Sequence, residues 1–539
     1  MDEGSSSKPK ASTSANASKP RKRFVGSKSA TPSKPGVSPI VTNQVPAEIL
    51  QDAQLNAAIS QLPRNYSFEI HKTVHHIRKN NAKVVALQMP EGLQMFACTI
   101  ADIIERFTAA LTVIMGDVTY GACCIDDYTA VALGCEMLVH YGHSCLVPTT
   151  ETTIKTLYVF VEIAIDAGHL AQTIRLNFPT DRRQFHELLP DSEETSSEVP
   201  VGQPMGPGQH LRIEGPAANS STTSESAIVS RSASLSGEPT RLALVSTIQF
   251  VAALARLKDD LTMDTEMPST HTIKNGVRDD TIELQVGRPK LYKGHYEASI
   301  PRSKPLSPGE ILGCTAPQLS SDVDALIYLG DGRFHLESIM IANPSVPAFR
   351  YDPYSKKLTR ERYNHTEMRT VRHEAVENAR RSIGAFTMTT PDVHDELAPP
   401  PEPTSRSGSD APPLWGVILG TLGRQGSFRQ LQAITHQLSS SRTPIPYMPI
   451  LLSELSPAKL ALFNPHISTF VQTSCPRLSI DWGYAFDKPL LSPYETAVAV
   501  GKAVGWIEET EKGKKENTYP MDFYTAGTPW AVARAKAVY

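Results

Sequence analysis

Short runs of apolar residues recur along this chain, each closed by a turn and followed by apolar positions at helical spacing. KVVALQMPEGL (Lys83–Leu93) reads as a buried strand that turns at Pro90. LTVIMGDVTYG (Leu111–Gly121) and EMLVHYGHS (Glu136–Ser144) repeat the design, and Met95–Ala109 has the spacing of a helix. Apolar strands alternating with helices predict a parallel α/β sheet.

The pattern stops at Asp191–Thr240, a stretch of Ser, Glu, Gly and Pro with scattered apolar residues. It resumes at RLALVSTIQF (Arg241–Phe250), with a helix behind it. Leu261 to about Arg288 is polar again. DALIYLGD (Asp324–Asp331) is the next strand, with a helix from Phe334. A Pro/Ser-rich break from about Thr389 to Pro413 precedes PLWGVILG (Pro413–Gly420), a helix near Phe428–Leu438, YMPILLSEL (Tyr447–Leu455) and ISTFVQTS (Ile467–Ser474). The three breaks read as disordered insertions. The reading is therefore of three α/β blocks: residues 46–150; residues 151–345 with insertions at about 191–240 and 261–288; and residues 346–539 with an insertion at about 389–413. The blocks' first strands, KVVALQMPEGL, RLALVSTIQF and PLWGVILGTLG, resemble one another. That weak repeat suggests triplication; one large doubly wound sheet broken by insertions is the alternative.

Composition narrows the class. A chain of 539 residues is too long for one core, and 40% hydrophobic with 20% charged residues suits an ordinary soluble protein. Residues 1–45 are Ser, Pro, Lys and Thr with few large apolar side chains and predict a disordered basic tail. Its KPRKR cluster (Lys19–Arg23) reads as a nuclear address, an RNA contact or a solvated tail. A net charge of −3 argues against electrostatic nucleic-acid binding by the whole chain. The most apolar run, TLYVFVEIAIDAGHLA from Thr156, carries Glu162 and Asp166 and is too short to span a membrane. The N-terminus has no apolar signal segment. The expected location is the cytoplasm, with a nuclear fraction if the tail acts as an address.

Ligands of open α/β sheets bind at the carboxyl ends of the strands. Cys123 and Cys124 (GACCIDD), Cys145 (YGHSC) and Cys475 (QTSCPRLSIDWG) follow predicted strands and Cys314 sits in ILGCTAP, whereas Cys98 and Cys135 read as small buried residues in helices. No CxxC pair occurs among the seven Cys, which removes zinc ribbons, thioredoxin-type motifs and CxxxCxxC loops. Any metal cluster must therefore be assembled from distant parts of the chain. One thiolate from each block would hold a 4Fe–4S cluster by three irons and leave the fourth open. Buried structural thiols are the other reading. GTLGRQGS (Gly420–Ser427) lacks the Lys of a phosphate loop and reads as a strand-to-helix turn. GDGRFH (Gly330–His335) offers Arg333 either as a bidentate clamp for an amino-acid carboxylate or as a surface salt bridge.

Taken together, GACCIDD, HYGHSCLVP, ILGCTAP, YLGDGRFHLES, ILGTLGRQGS, SCPRLSIDWG and YPMDFY resemble the first-subunit family of 2-(3-amino-3-carboxypropyl)histidine synthase, which begins diphthamide biosynthesis. The resemblance runs from about Pro63 to Phe523, outside the insertions. It implies three similar α/β domains around a central 4Fe–4S cluster, with Cys123, Cys314 and Cys475 as ligands and Cys145 or Cys124 in reserve. It implies transfer of the 3-amino-3-carboxypropyl group of S-adenosylmethionine to C2 of a histidine imidazole in translation elongation factor 2, by a radical route that the cluster's electron opens. Arg333, His335, Gln425 and Arg477 become candidates to hold S-adenosylmethionine. The implied partners are a related second subunit, forming a heterodimer, and a small electron-donor protein. A non-catalytic or electron-relaying subunit of the same complex, a cluster dehydratase resembling quinolinate synthase, and a zinc-structured scaffold remain the alternatives.

Overall fold

Each predicted apolar run becomes a strand of a parallel sheet. The computed structural model describes residues 45–116, 125–142, 146–188, 211–213, 237–263, 291–389, 414–426, 428–510, 513–516, 518–525 and 528. All but Val45 belong to one compact unit, Pro46–Tyr539. The first sheet runs Leu111–Ile114, Val84–Gln88, Met137–Tyr141, Lys155–Val159, all parallel. The third runs Tyr447–Leu452, Leu414–Gly420, Ile467–Gln472, Leu490–Leu491, again all parallel. The six-stranded second sheet has a parallel part, Glu297–Ser299, Arg241–Ser246, Ala325–Leu329, Ala348–Asp352. Two antiparallel strands, Lys357–Glu361 and Leu211–Ile213, extend its far edge. In chain order every parallel part reads second, first, third, fourth. One strand order used three times establishes triplication and removes the single broken sheet.

The sequence explains these elements locally. Central strands are aliphatic runs buried on both faces, as in Val85–Leu87, Leu242–Val245 and Ala325–Leu329, which suits strands covered by crossover helices. The helix Ala97–Phe107 buries Ala97, Ile100, Ala101, Ile104 and Phe107, a stripe at three- and four-residue spacing. Asp126 and Asp166 start the helices Asp127–Ala132 and Ala167–Asn177 by accepting from Thr129 N and His169 N, each at 3.0 Å.

Three expectations need correction. Leu211–Ile213 lies inside the predicted insertion 191–240 yet forms a strand, because the edge strand Lys357–Glu361 offers it a ladder. Thr240 is also structural: it is buried and donates to the Pro179 carbonyl at 2.7 Å. Leu261 does not begin an insertion, since it completes the buried face of the helix Val251–Thr262 with Leu254 and Leu257. Sheets also cross the predicted block limits. Lys155–Val159 completes the first beyond residue 150, and Ala348–Glu361 supplies two strands of the second beyond residue 345. The basic tail and the remainder of the predicted insertions lie outside the described residues. Among the described residues no helix is long and apolar enough to cross a membrane.

Candidate functional site at the strand ends

Cys314 and Cys475 belong to one hydrophobic core that joins the second and third blocks. Cys314 is buried in a tight turn in which Leu312 N donates to Thr315 O at 2.9 Å and Thr315 N to Leu312 O at 3.2 Å. Ser338 Oγ donates to the Leu312 carbonyl at 2.6 Å. The other side of the turn is held by the YPMDFY segment: Ala316 N donates to Met521 O at 2.7 Å, and Tyr524 N to Thr315 Oγ1 at 3.1 Å. Cys475 is the N-cap of the helix Pro476–Trp482. Its carbonyl accepts from Leu478 N and from Gln472 Nε2, both at 3.0 Å.

Arg477 runs between these two segments. Its Nε donates to the Asp481 carboxylate at 2.9 Å, Nη1 to Phe334 O at 2.7 Å and Gly313 O at 3.3 Å, and Nη2 to Glu337 at 2.5 Å. The Phe334 ring covers the guanidinium, 4.5 Å from ring centroid to Cζ. A Cβ on Gly313 would stand 2.0 Å from that same ring, so the close approach requires glycine. The side chain of Arg477 is 2% exposed. Burial pushes the Asp481 carboxyl up and the charge of Glu337 adds to that; Arg477 pulls the other way without overcoming them.

The other candidates sit around this centre. Arg333, in the GDGRFH loop, lies 3.5 Å from Glu337 and 3.4 Å from Glu361, and donates to Arg362 O at 2.9 Å. It is part of a half-buried network rather than a surface pair. His335 follows it in the helix Phe334–Ala342, with its ring edge-on to Phe334. Gln425 stands in the Gly420–Gly426 turn, which links strand to helix as the sequence predicts. A Cβ on Gly426 would meet Gly420 O at 2.7 Å and Thr473 Oγ1 at 2.8 Å, so this turn folds onto the segment leading to Cys475. At its tip Arg424 grips Asp127 with two bonds of 2.7 Å and stacks on Tyr128. Asp127 is fully buried and also accepts from Thr153 N and Oγ1 at 2.5 and 2.7 Å. Burial pushes the Asp127 carboxyl up, but the bonds from Arg424 and Thr153 outweigh it and hold it below the usual range.

These contacts link the blocks in a ring at their strand ends. The Gln249 amide donates to Gly142 O between the first and second blocks, Arg477 joins second to third, and Arg424 joins third to first. Near the same ends, the hydroxyls of Ser246, Tyr328 and Ser474 are buried without a hydrogen-bond partner among the described residues. Buried polar groups in native proteins are nearly always satisfied, so these three suit a polar guest.

Sequence reasoning missed Asp127, Glu337, Arg424 and Gln249. Asp127 and Glu337 stand within GACCIDD and YLGDGRFHLES, so a carboxylate inside a strand-end motif was the available signal. Cys98 does lie in a helix but is exposed, and Cys135 lies in the turn before Met137–Tyr141, where burial pushes its thiol up. Cys123, Cys124 and Cys145 lie outside the described residues, and among the described residues no three His, Cys, Asp or Glu side chains gather as a metal site. Counting the parallel part of each sheet in chain order, Cys314 follows the second strand, as Cys123 does in the first sheet, whereas Cys475 follows the third strand, as Cys145 does in the first.

Three parallel α/β repeats linked at their strand ends, two of them bringing a thiol to a shared core, define a triplicated α/β protein with an interdomain site. The chain matches the family described as "Putative diphthamide synthesis protein" over residues 89–236, 219–387 and 409–511. It is 44% identical over 496 residues to 2-(3-amino-3-carboxypropyl)histidine synthase subunit 1 of Homo sapiens, covering 91% of this chain and 83% of that one. The protein of the same description from Gibberella zeae is 41% identical over 527 residues, 94% of this chain and 86% of its own. Among solved structures, the crystal structure of Dph2 from Pyrococcus horikoshii with 4Fe-4S cluster is similar with a TM-score of 0.49 and 18% identity, over 85% of this chain and 97% of that one. The chain belongs to the diphthamide-synthesis family, among the relatives described as subunit 1 of 2-(3-amino-3-carboxypropyl)histidine synthase.

Proposed function

We propose that this chain is the catalytic, cluster-bearing subunit that transfers the 3-amino-3-carboxypropyl group of S-adenosylmethionine to C2 of a histidine imidazole in translation elongation factor 2. The observation that carries the reading is the 44% identity to a subunit 1 along 91% of the chain. The juxtaposition of the Cys314 and Cys475 segments supports it, because soft thiolate donors suit iron–sulfur clusters. Cys123, Cys314 and Cys475 would hold a 4Fe–4S cluster through three irons, with Cys145 or Cys124 in reserve for the first block. When bound, such a cluster supplies an electron and an open iron beside the sulfonium.

The chain's own task is orientation. Arg333 offers a planar guanidinium for the methionine carboxylate, with His335 beside it and Gln425 on the turn that packs against Thr473. Arg477 serves the same carboxylate only after giving up Glu337. The buried hydroxyls of Ser246, Tyr328 and Ser474 would donate to polar atoms of the guest. The partners in this reading are a related second subunit, a small electron-donating protein and elongation factor 2, in the cytoplasm, with no nucleic acid or membrane involved.

The test is anaerobic purification with the second subunit, then iron and sulfide counting, electron paramagnetic resonance, and assay of methylthioadenosine release with labelling of elongation factor 2. Single Cys123→Ala, Cys314→Ala and Cys475→Ala variants should lose the brown colour and the modification. Modification retained in all three refutes the catalytic reading and leaves an electron-relaying or scaffold subunit. Zinc in place of iron and sulfide has the same consequence.

A further inference from the structure

We propose, resting on the cluster reading above, that Arg477 is a positioning residue that sets the Cys314 turn against Cys475, and so the spacing at which the two thiolates take up iron. Arg477 lies two positions after Cys475 and donates to the carbonyl of Gly313, the residue before Cys314. The same Nη1 reaches Phe334 O, whose ring packs against Gly313 and covers the guanidinium. Gly313, Phe334 and Arg477 therefore form one stack between the two thiol segments. The opposite side of the Cys314 turn is fixed by Met521 and Tyr524. The Arg477 stack ties that turn to the helix that Cys475 begins. Glu337 and Asp481 hold the guanidinium plane from its two ends. A planar fork can serve all these acceptors together; an ammonium point charge on a flexible stem cannot.

A second buried arginine provides the control. Arg372 pairs with Glu495 at 2.7 and 2.8 Å and donates to Leu490 O at 2.7 Å; it packs against Gly483 at the far end of the helix Pro476–Trp482 and bonds to neither the Cys314 turn nor the Cys475 end of that helix. It is as buried as Arg477.

The experiment uses the full chain with its second subunit, stripped of metal and reconstituted anaerobically with iron and sulfide. The wild type is compared with Arg477→Lys, Glu337→Gln and Arg372→Lys. Iron and sulfide per chain, the resonance spectrum of the reduced cluster and the half-life of its absorbance under a chelator are measured, beside the melting temperature of the cluster-free protein. Loss of an orienting contact next to metal ligands typically weakens metal binding about 10–100-fold. Arg477→Lys and Glu337→Gln should shorten the cluster half-life by about that factor and alter the spectrum, Glu337→Gln less. Arg372→Lys should lower the melting temperature at least as far while leaving half-life and spectrum at wild type. Wild-type half-life and spectrum in both Arg477→Lys and Glu337→Gln overturn the proposal, as does equally fast loss in Arg372→Lys. A wild type that takes up no cluster overturns the functional reading itself and the positioning role with it.

Discussion

The third block meets its two neighbours through two arginines that solve the same problem in different ways. Toward the first block, Arg424 faces one carboxylate, Asp127, which Thr153 also serves. Charges match one to one, and the carboxyl is held below its usual range despite its burial. Toward the second block, Arg477 faces Glu337 and Asp481 at once, along with two main-chain carbonyls. Here Arg477 is shared between two carboxylates, Glu337 also lies 3.5 Å from Arg333, and burial pushes the Asp481 carboxyl up. A matched pair closes a junction. A junction in which one guanidinium serves several acceptors also fixes their spacing, and this one borders the Cys314 and Cys475 segments. The comparison separates a contact that joins blocks from one that also shapes a site.

The largest expected effect comes from removing the shared cation. Arg477→Met leaves Asp481 without its partner in a mostly buried place, leaves Glu337 to Arg333 alone, and removes a donor from the Gly313 and Phe334 carbonyls. Breaking a buried pair by deleting one partner costs about 3–5 kcal/mol. Asp127→Asn at the matched junction keeps the shape and one acceptor, and losing a hydrogen bond to a charged group costs about 1.5–3 kcal/mol. Urea unfolding of the cluster-free full chain measures both. If Asp127→Asn proves the more damaging of the two, the distinction between the junctions fails.

Much of this architecture was legible in the sequence, and what was not has a physical cause. The aliphatic runs at Val84, Arg241, Ala325 and Leu414 predict their strands because a doubly covered parallel strand has to be apolar on both faces. Leu211–Ile213 escaped because three residues carry no period; its ladder with Lys357–Glu361 makes it a strand. Lys155–Val159 escaped for another reason: its apolar run continues into Glu162 and Asp166 and was weighed only as a membrane span. At the site, Cys475 is legible because reactive residues follow strand ends, and Cys314 through its ILGCTAP motif. The residues that hold those segments were not found, since Arg477 reaches Phe334 and Gly313 from 143 and 164 residues away, and Arg424 reaches Asp127 from 297. Local spacing carries no trace of such pairs. The repeat does not extend to the thiols: within the parallel parts of their sheets, Cys314 and Cys475 follow different strands.

The smallest expected effect gives the sharpest comparison, because it has a sign. Free Asp titrates at about 3.9. Asp127 has a folded value below that, so its contribution to stability is present above about pH 4 and is lost as the pH falls through the folded value. Asp481 has a folded value above it, so its contribution is present below about pH 4 and is lost as the pH rises through that higher value. Replacing each by Asn in the cluster-free chain removes one titration at a time. The gap between wild type and Asp127→Asn should close on acidification below about pH 4. The gap between wild type and Asp481→Asn should shift in favour of the variant as the pH rises from about 4 toward neutrality. Melting temperatures across this range, taken on both variants, read the two slopes. Slopes of the same sign would mean that Arg477 offsets the burial of Asp481 as fully as Arg424 offsets that of Asp127, and nothing in their charge would then set the two junctions apart.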